Sequence, residues 1–358
     1  MTTSAGKKVP WHLVVPMSVI LTICLANILA MYVTSEQPQV AEFSGPTMGT
    51  RYSVSVATDG KTANWPPDVE VVQRQVDERL AEINRRMSTY DPESELSRFN
   101  RLNSSEWFVV SAETAEVVAA ALEIAERTSG AFDPTVGPIV NLWGFGPDKG
   151  RTDPPSDDMI KDTLARVGYE KVSVRIDPPA LKKSISEVYL DLSGIAKGYA
   201  SDAISELLDE LGFSNTMVEI GGEVRTRGTK AGGMPWRIGV EQPEDRDRHI
   251  HTAVNLLNAG MATSGDYRIF FQHEGVRYSH TIDAVTGRPV QHDLAAVSVI
   301  AATCMEADAL ATALLVMGDE KGYDWCLERD ISAMFLVRHG EQIIERATPK
   351  FQKRIVTK

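Results

Sequence analysis

"TMVEIGGEVRTRG", residues 216–228, carries the pattern that decides the fold class. Short β-branched runs bounded by glycines read as strands, not as helix. The same signature recurs in "VYLDLS" (188–193), "WRIGVEQ" (236–242), "TAVNLL" (252–257), "AAVSVIAAT" (295–303) and "SAMFLVRHG" (332–340). Nearer the N-terminus, "RYSVSVA" (51–57) alternates polar and apolar residues, as a half-exposed antiparallel strand does. Helical spacing appears over 68–87, where Val69, Val72, Val76, Leu80, Ile83 and Met87 repeat, over 111–128 ahead of Gly130, and over 156–167 ahead of Gly168. "MSTYDPESELSRFNR" (87–101) is polar and turn-prone. Helices segregate and do not alternate regularly with strands, which predicts an α+β fold with a mainly antiparallel sheet.

The chain of 358 residues has the apolar and charged balance of a folded protein. A net charge of −12, without a basic stripe, argues against nucleic-acid binding, and an anionic ligand would need a metal ion or local backbone dipoles. Cys24, Cys304 and Cys326 form no zinc-like cluster, and the last two read as core residues. Lys7 and Lys8 precede an uncharged run over 11–33, the length of a membrane span. The leading lysines place the rest of the chain on the outer side of the cytoplasmic membrane, either anchored or, if the run is a signal peptide, cleaved and periplasmic. The expected organisation is thus an anchor or signal helix over 1–34, a linker over 35–43, one domain over 44–348 and a basic tail over 349–358.

Several segments could carry chemistry. "EADALATALLVMG" (306–318) suits a buried helix with Leu310, Leu314, Leu315 and Met317 on one broad face, yet it places Asp308 and Thr312 four residues apart on one side. Either the pair converges on a ligand, or Asp308 is a cap and Thr312 bonds back to its own helix. "DLSGIAKGYASDAISELLDELG" (191–212) turns from a strand into a helix, with Gly194 and Gly198 allowing close approach and Lys197 adding charge. In "SGAFDPTVGPIVNLWGFGP" (129–147), Trp143 and Phe145 could stack on a planar ring or pin a loop to the core.

Taken in order, "MSTYDPESELSRFN", "GAFDPTVGPIVNLWGFGP", "DLSGIAKGYASD", "VEIGGE", "ATSGDYR", "SHTIDAVTGRPV" and "EADALATALLVMG" resemble the motifs of the FAD:protein FMN transferases, the ApbE family, over about residues 44–340. The resemblance implies a T-fold-like architecture, FAD as substrate, Mg²⁺, and transfer of FMN to a Thr or Ser hydroxyl of an exported acceptor protein, with release of AMP. Acceptors in such a family are flavinylated subunits of membrane redox complexes. By the same resemblance the metal ligands are the Gly194 backbone carbonyl, Asp308 and Thr312. The FAD-binding positions are Met48, Tyr90, Ala131, Phe132, Asp133, Asp191, Lys197 and Ile282, and His280 is the candidate base. Ala311 stands where some relatives have a further aspartate, which leaves a second metal open. An FAD pyrophosphatase and a non-catalytic FAD-binding protein are the alternatives.

Overall fold

The computed structural model describes residues 40–58, 68–146, 153–243, 249–267, 269–340 and 342–356. The expected anchor or signal helix lies outside these residues. Among them, no helix is long and apolar enough to cross a membrane.

Eight antiparallel strands form the central sheet, in the order Val40–Thr47, Thr50–Ala57, Thr216–Ile220, Glu223–Arg227, Gly260–Gly265, Leu294–Ala301, Ser332–His339 and Gln342–Ala347. "TMVEIGGEVRTRG" is a hairpin in which Ile220 pairs with Glu223 across Gly221 and Gly222. Their φ values of 67° and 110° suit glycine, and the two-residue turn fixes which side chains of the second strand point inward. Along Ser332–His339, Ala333 and Phe335 enter one core while Met334 and Leu336 enter another, the two-residue period of a strand buried on both faces.

Helices Val69–Met87, Ala112–Arg127, Ala196–Glu210 and Cys304–Met317 contribute to the larger core. In Val69–Met87 the residues at helical spacing, Val72, Val76, Leu80, Ile83 and Met87, are buried, and Asp68 caps the start by accepting the Val71 amide at 3.3 Å. The second core lies under a two-stranded ribbon, Trp236–Glu241 paired with Ile250–Leu256. Cys304 and Cys326 are free thiols buried in the interior.

Helix Cys304–Met317 is buried on all sides, not along one broad face: Ala307, Asp308, Ala309, Leu310, Ala311, Ala313, Leu314 and Leu315 are all inaccessible. A Cβ at Gly260 would lie 2.2 Å from the Cys304 amide nitrogen, so glycine is what lets the sheet touch the helix backbone. Gly260→Ala is therefore expected to lower stability by about 1–3 kcal/mol, read as a drop in the urea midpoint. An unchanged midpoint would contradict this close packing.

Four expectations need correction. "VYLDLS" is not a strand, because its backbone groups are claimed elsewhere: the Asn100 side chain donates to the Leu190 carbonyl and accepts its amide, both at 2.8 Å, and the Asp191 amide donates to the Pro134 carbonyl at 2.7 Å. The polar 87–101 stretch contains helix Glu95–Arg101, started by the Ser94 hydroxyl and anchored by buried Leu96 and Phe99. The first strand begins at Val40, inside the expected linker. Residues 349–356 of the expected basic tail pack onto the domain: helix Pro349–Gln352 buries Phe351 in the second core, and Ile355 bridges Val254 of the ribbon.

Candidate functional site

A cavity of about 320 Å³ opens where the large helices meet the central sheet. Helix Cys304–Met317 lends it Asp308, Thr312 and Leu315. The turn into helix Ala196–Glu210 lends Asp191, Ser193, Gly194 and Lys197, and Ala131, Phe132 and Asp133 come from the loop after helix Ala112–Arg127. His280 and Ile282 arrive from the segment that follows hairpin Phe270–His273/Val276–Ser279. The fold thus gathers ten of the twelve predicted site residues around one space.

Met48 and Tyr90 are not among the lining residues. Met48 sits at φ 47° in the turn joining the first two strands and packs on the larger core. Tyr90 is 66 % exposed. Partial burial and then the Asp191 charge push its phenol pKa up.

Asp308 lies in mid-helix, and the N-cap role belongs to Thr303, whose hydroxyl accepts the Glu306 amide at 3.1 Å. Only 3 % exposed, Asp308 accepts the Gly198 amide at 3.0 Å through Oδ2. Thr312 Oγ1 faces Ser264 Oγ at 3.4 Å, and a Cβ on Gly194 would come within 3.2 Å of that same Oγ1. Glycine at 194 therefore leaves open a small cradle between backbone and hydroxyl.

Lys197 Nζ stands 3.5 Å from Glu223 Oε1 and 4.0 Å from Asp308 Oδ2, and it donates to the Ser193 carbonyl at 3.3 Å. Burial disfavours the ammonium, but Asp308 and then Glu223 outweigh it and raise the Lys197 pKa. Burial raises the pKa of both carboxyls, and the Lys197 charge opposes that rise. Two buried carboxylates share one ammonium, and Glu223 Oε2 has no hydrogen-bond partner. Such a site has spare oxygen donors and favours an added cation. Among the described residues no group of three or more His, Cys, Asp and Glu side chains has metal-holding geometry, so a cation would rest on a carboxylate, a hydroxyl and a backbone carbonyl. All are hard oxygen donors of the kind Mg²⁺ takes.

His280 Nδ1 lies 3.2 Å from the Ile269 carbonyl, so Nδ1–H donates there and Nε2 is left as the basic nitrogen. Burial lowers the imidazole pKa, which favours the neutral ring. Trp143 and Phe145 do not line the cavity and pack instead against the hairpin that precedes this ring. Trp143 is buried, stacks on Tyr278 at 5.4 Å and donates its indole N–H to the Gly287 carbonyl at 2.8 Å, while Phe145 stacks on Phe271 at 5.5 Å and meets His280 edge-on. Asp133 spends its carboxylate on its own loop, accepting from Thr135 N, Thr135 Oγ1 and Tyr169 N at 2.7, 2.6 and 3.1 Å. Asp191 accepts the Ser193 amide at 2.9 Å.

Glu223 is the site residue that sequence reading missed. Its signal was an acid directly after a two-glycine turn, at a position the hairpin turns inward.

The ApbE family profile matches residues 48–335. The FAD:protein FMN transferase of Vibrio cholerae is 41% identical over 330 residues, covering 92% of this chain and 97% of that protein. Its Haemophilus influenzae counterpart is 38% identical over 340 residues, covering 94% and 97%. Among solved structures, the flavin transferase ApbE from Vibrio cholerae superposes with TM-score 0.80 at 40% identity, over 88% of this chain and 99% of that one. The apo form of Pseudomonas stutzeri flavinyl transferase ApbE also gives TM-score 0.80, at 37% identity over 89% and 97%. With a matching profile over most of its length and relatives this similar across nearly their whole length, the chain belongs to the ApbE family.

Proposed function

We propose that this chain transfers the FMN moiety of FAD to a Thr or Ser hydroxyl of an acceptor protein, with Mg²⁺ bound by Asp308, Thr312 and the Gly194 carbonyl. The observation that carries the reading is the convergence of an imidazole, an ammonium and a surplus of hard oxygen donors on one cavity in a chain of this family. Mg²⁺, when bound, neutralises pyrophosphate charge and stabilises the leaving phosphate.

The chain's own groups do the rest. Lys197 adds a fixed positive charge beside the phosphates, and Phe132, Val136 and Ile282 supply apolar wall for the rings of FAD. His280 Nε2 takes the proton as the acceptor oxygen forms its bond to the FMN phosphorus. The phosphoanhydride P–O bond breaks, and AMP leaves with the electron pair. The test is incubation of the protein with FAD, Mg²⁺ and exported redox subunits, followed by intact mass of each subunit. An adduct of FMN mass supports transfer, whereas free FMN and AMP with unmodified subunits would favour hydrolysis, and stable FAD without AMP would favour a binding protein.

The uncharged run over 11–33 behind Lys7 and Lys8 supports an acceptor and an active domain outside the cytoplasm, with the domain held at the membrane or released after cleavage. A reporter fused after Lys358 is expected to be active only outside. A cytoplasmic signal would overturn the export reading.

A further inference from the structure

The two helices that carry the site run antiparallel and meet at three levels, each one helical turn from the next. At the first, Gly194, in the turn entering helix Ala196–Glu210, faces Thr312 Oγ1. Next, the Gly198 amide donates to Asp308 Oδ2 at 3.0 Å. At the third, the Asp202 carboxylate accepts the amides of Cys304 and Met305 at 3.0 and 2.8 Å. Positions 194, 198 and 202 on one side thus meet 312, 308 and 304 on the other, in steps of four on both.

The third level has no direct part in the chemistry described above. Cys304 and Met305 open their helix, and first-turn amides have no partner inside a helix. Thr303 already caps that end through Glu306, so Asp202 adds a second cap, delivered from a different helix. Arg225 Nε holds the carboxylate from the sheet side at 3.4 Å. Gly198 allows the approach, since a Cβ there would lie 2.3 Å from the Cys304 carbonyl oxygen.

We infer that Asp202 is a positioning residue: by capping helix Cys304–Met317 from the neighbouring helix, it sets the register at which Asp308 and Thr312 face Gly194. This rests on the reading of Asp308 and Thr312 as cation ligands. A slip of one residue turns a helix by ~100°, which would carry both oxygens away from the cradle. Burial pushes the Asp202 carboxyl up to about 6, against the pull of the two amides and Arg225. Holding it ionised at neutral pH therefore works against stability, as expected of a group kept for placement.

The test compares Asp202→Ala and Asp202→Asn with Thr303→Ala, which removes the ordinary cap of the same helix but leaves the cross-helix bond. The readout is Mn²⁺ binding to the FAD-loaded protein by electron paramagnetic resonance, with thermal melting to confirm folding. Asp202→Ala is expected to weaken Mn²⁺ affinity by roughly 10-fold or more, the scale for loss of a group that orients a ligand. Asp202→Asn, which keeps one acceptor oxygen, should fall between, and Thr303→Ala should stay within about twofold of wild type. If Asp202→Ala does not fold, Asp202→Asn against Thr303→Ala decides. Wild-type affinity in the folded Asp202 variants, or an equal loss in Thr303→Ala, overturns the inference. A wild-type protein that binds no Mn²⁺ contradicts the cation reading itself, and this inference falls with it.

Discussion

Asp308→Asn is expected to reduce FMN transfer at ordinary Mg²⁺ by more than the roughly 10- to 100-fold that loss of a supporting contact costs, with partial recovery at high Mg²⁺ or in Mn²⁺. Asn keeps the size of the side chain and can still accept the Gly198 amide, so the change removes charge and little else. Lys197 retains Glu223 at 3.5 Å, and burial already disfavours the Asp308 charge. The fold should therefore survive, and melting should confirm it. Thr312→Val is the companion, deleting the hydroxyl at constant shape, and should move the Mg²⁺ dependence in the same direction. Wild-type rates and unchanged Mg²⁺ dependence in both variants would remove the metal site.

The second large effect belongs to His280→Asn, which should lower transfer by roughly 100-fold or more while FAD binding, followed by flavin fluorescence, changes little. A base works only when unprotonated. Because burial lowers the His280 pKa, the acid limb of wild-type transfer should lie at lower pH than an ordinary imidazole would place it. The variant should lack that acid limb. Near-normal transfer in the variant would return His280 to a packing role beside Phe145.

Much of the sheet was legible because a half-exposed strand alternates polar and apolar residues, as 51–57 does, and a strand buried on both faces is a short apolar run, as Ser332–His339 is. The 188–193 segment has the same composition, but composition does not show that Asn100, 90 positions away, occupies the Leu190 hydrogen-bonding groups. Helix Glu95–Arg101 is too short for its two buried apolar side chains, Leu96 and Phe99, to make a period. Helix Cys304–Met317 is buried all round, so its pattern shows that it is interior without showing which side faces what.

The site divides in the same way. The four-residue spacing of Asp308 and Thr312 placed them on one side of a helix from sequence alone. What they face, Gly194 and Gly198, is a product of the antiparallel helix pair. Glu223 became visible only when the Gly221–Gly222 turn set it against Lys197. Trp143 and Phe145 looked suited to a planar ring, but their stacking partners come from a hairpin more than a hundred residues later, the one that precedes His280.

The most direct measurement of the central claim is the intact mass of a purified acceptor subunit after incubation with this protein, FAD and Mg²⁺, with AMP quantified in the same sample. The proposed function predicts one adduct of FMN mass on a Thr or Ser for each AMP released, and no adduct with Asp308→Asn under the same conditions. AMP released in step with free FMN, while every acceptor tested stays unmodified, would contradict it.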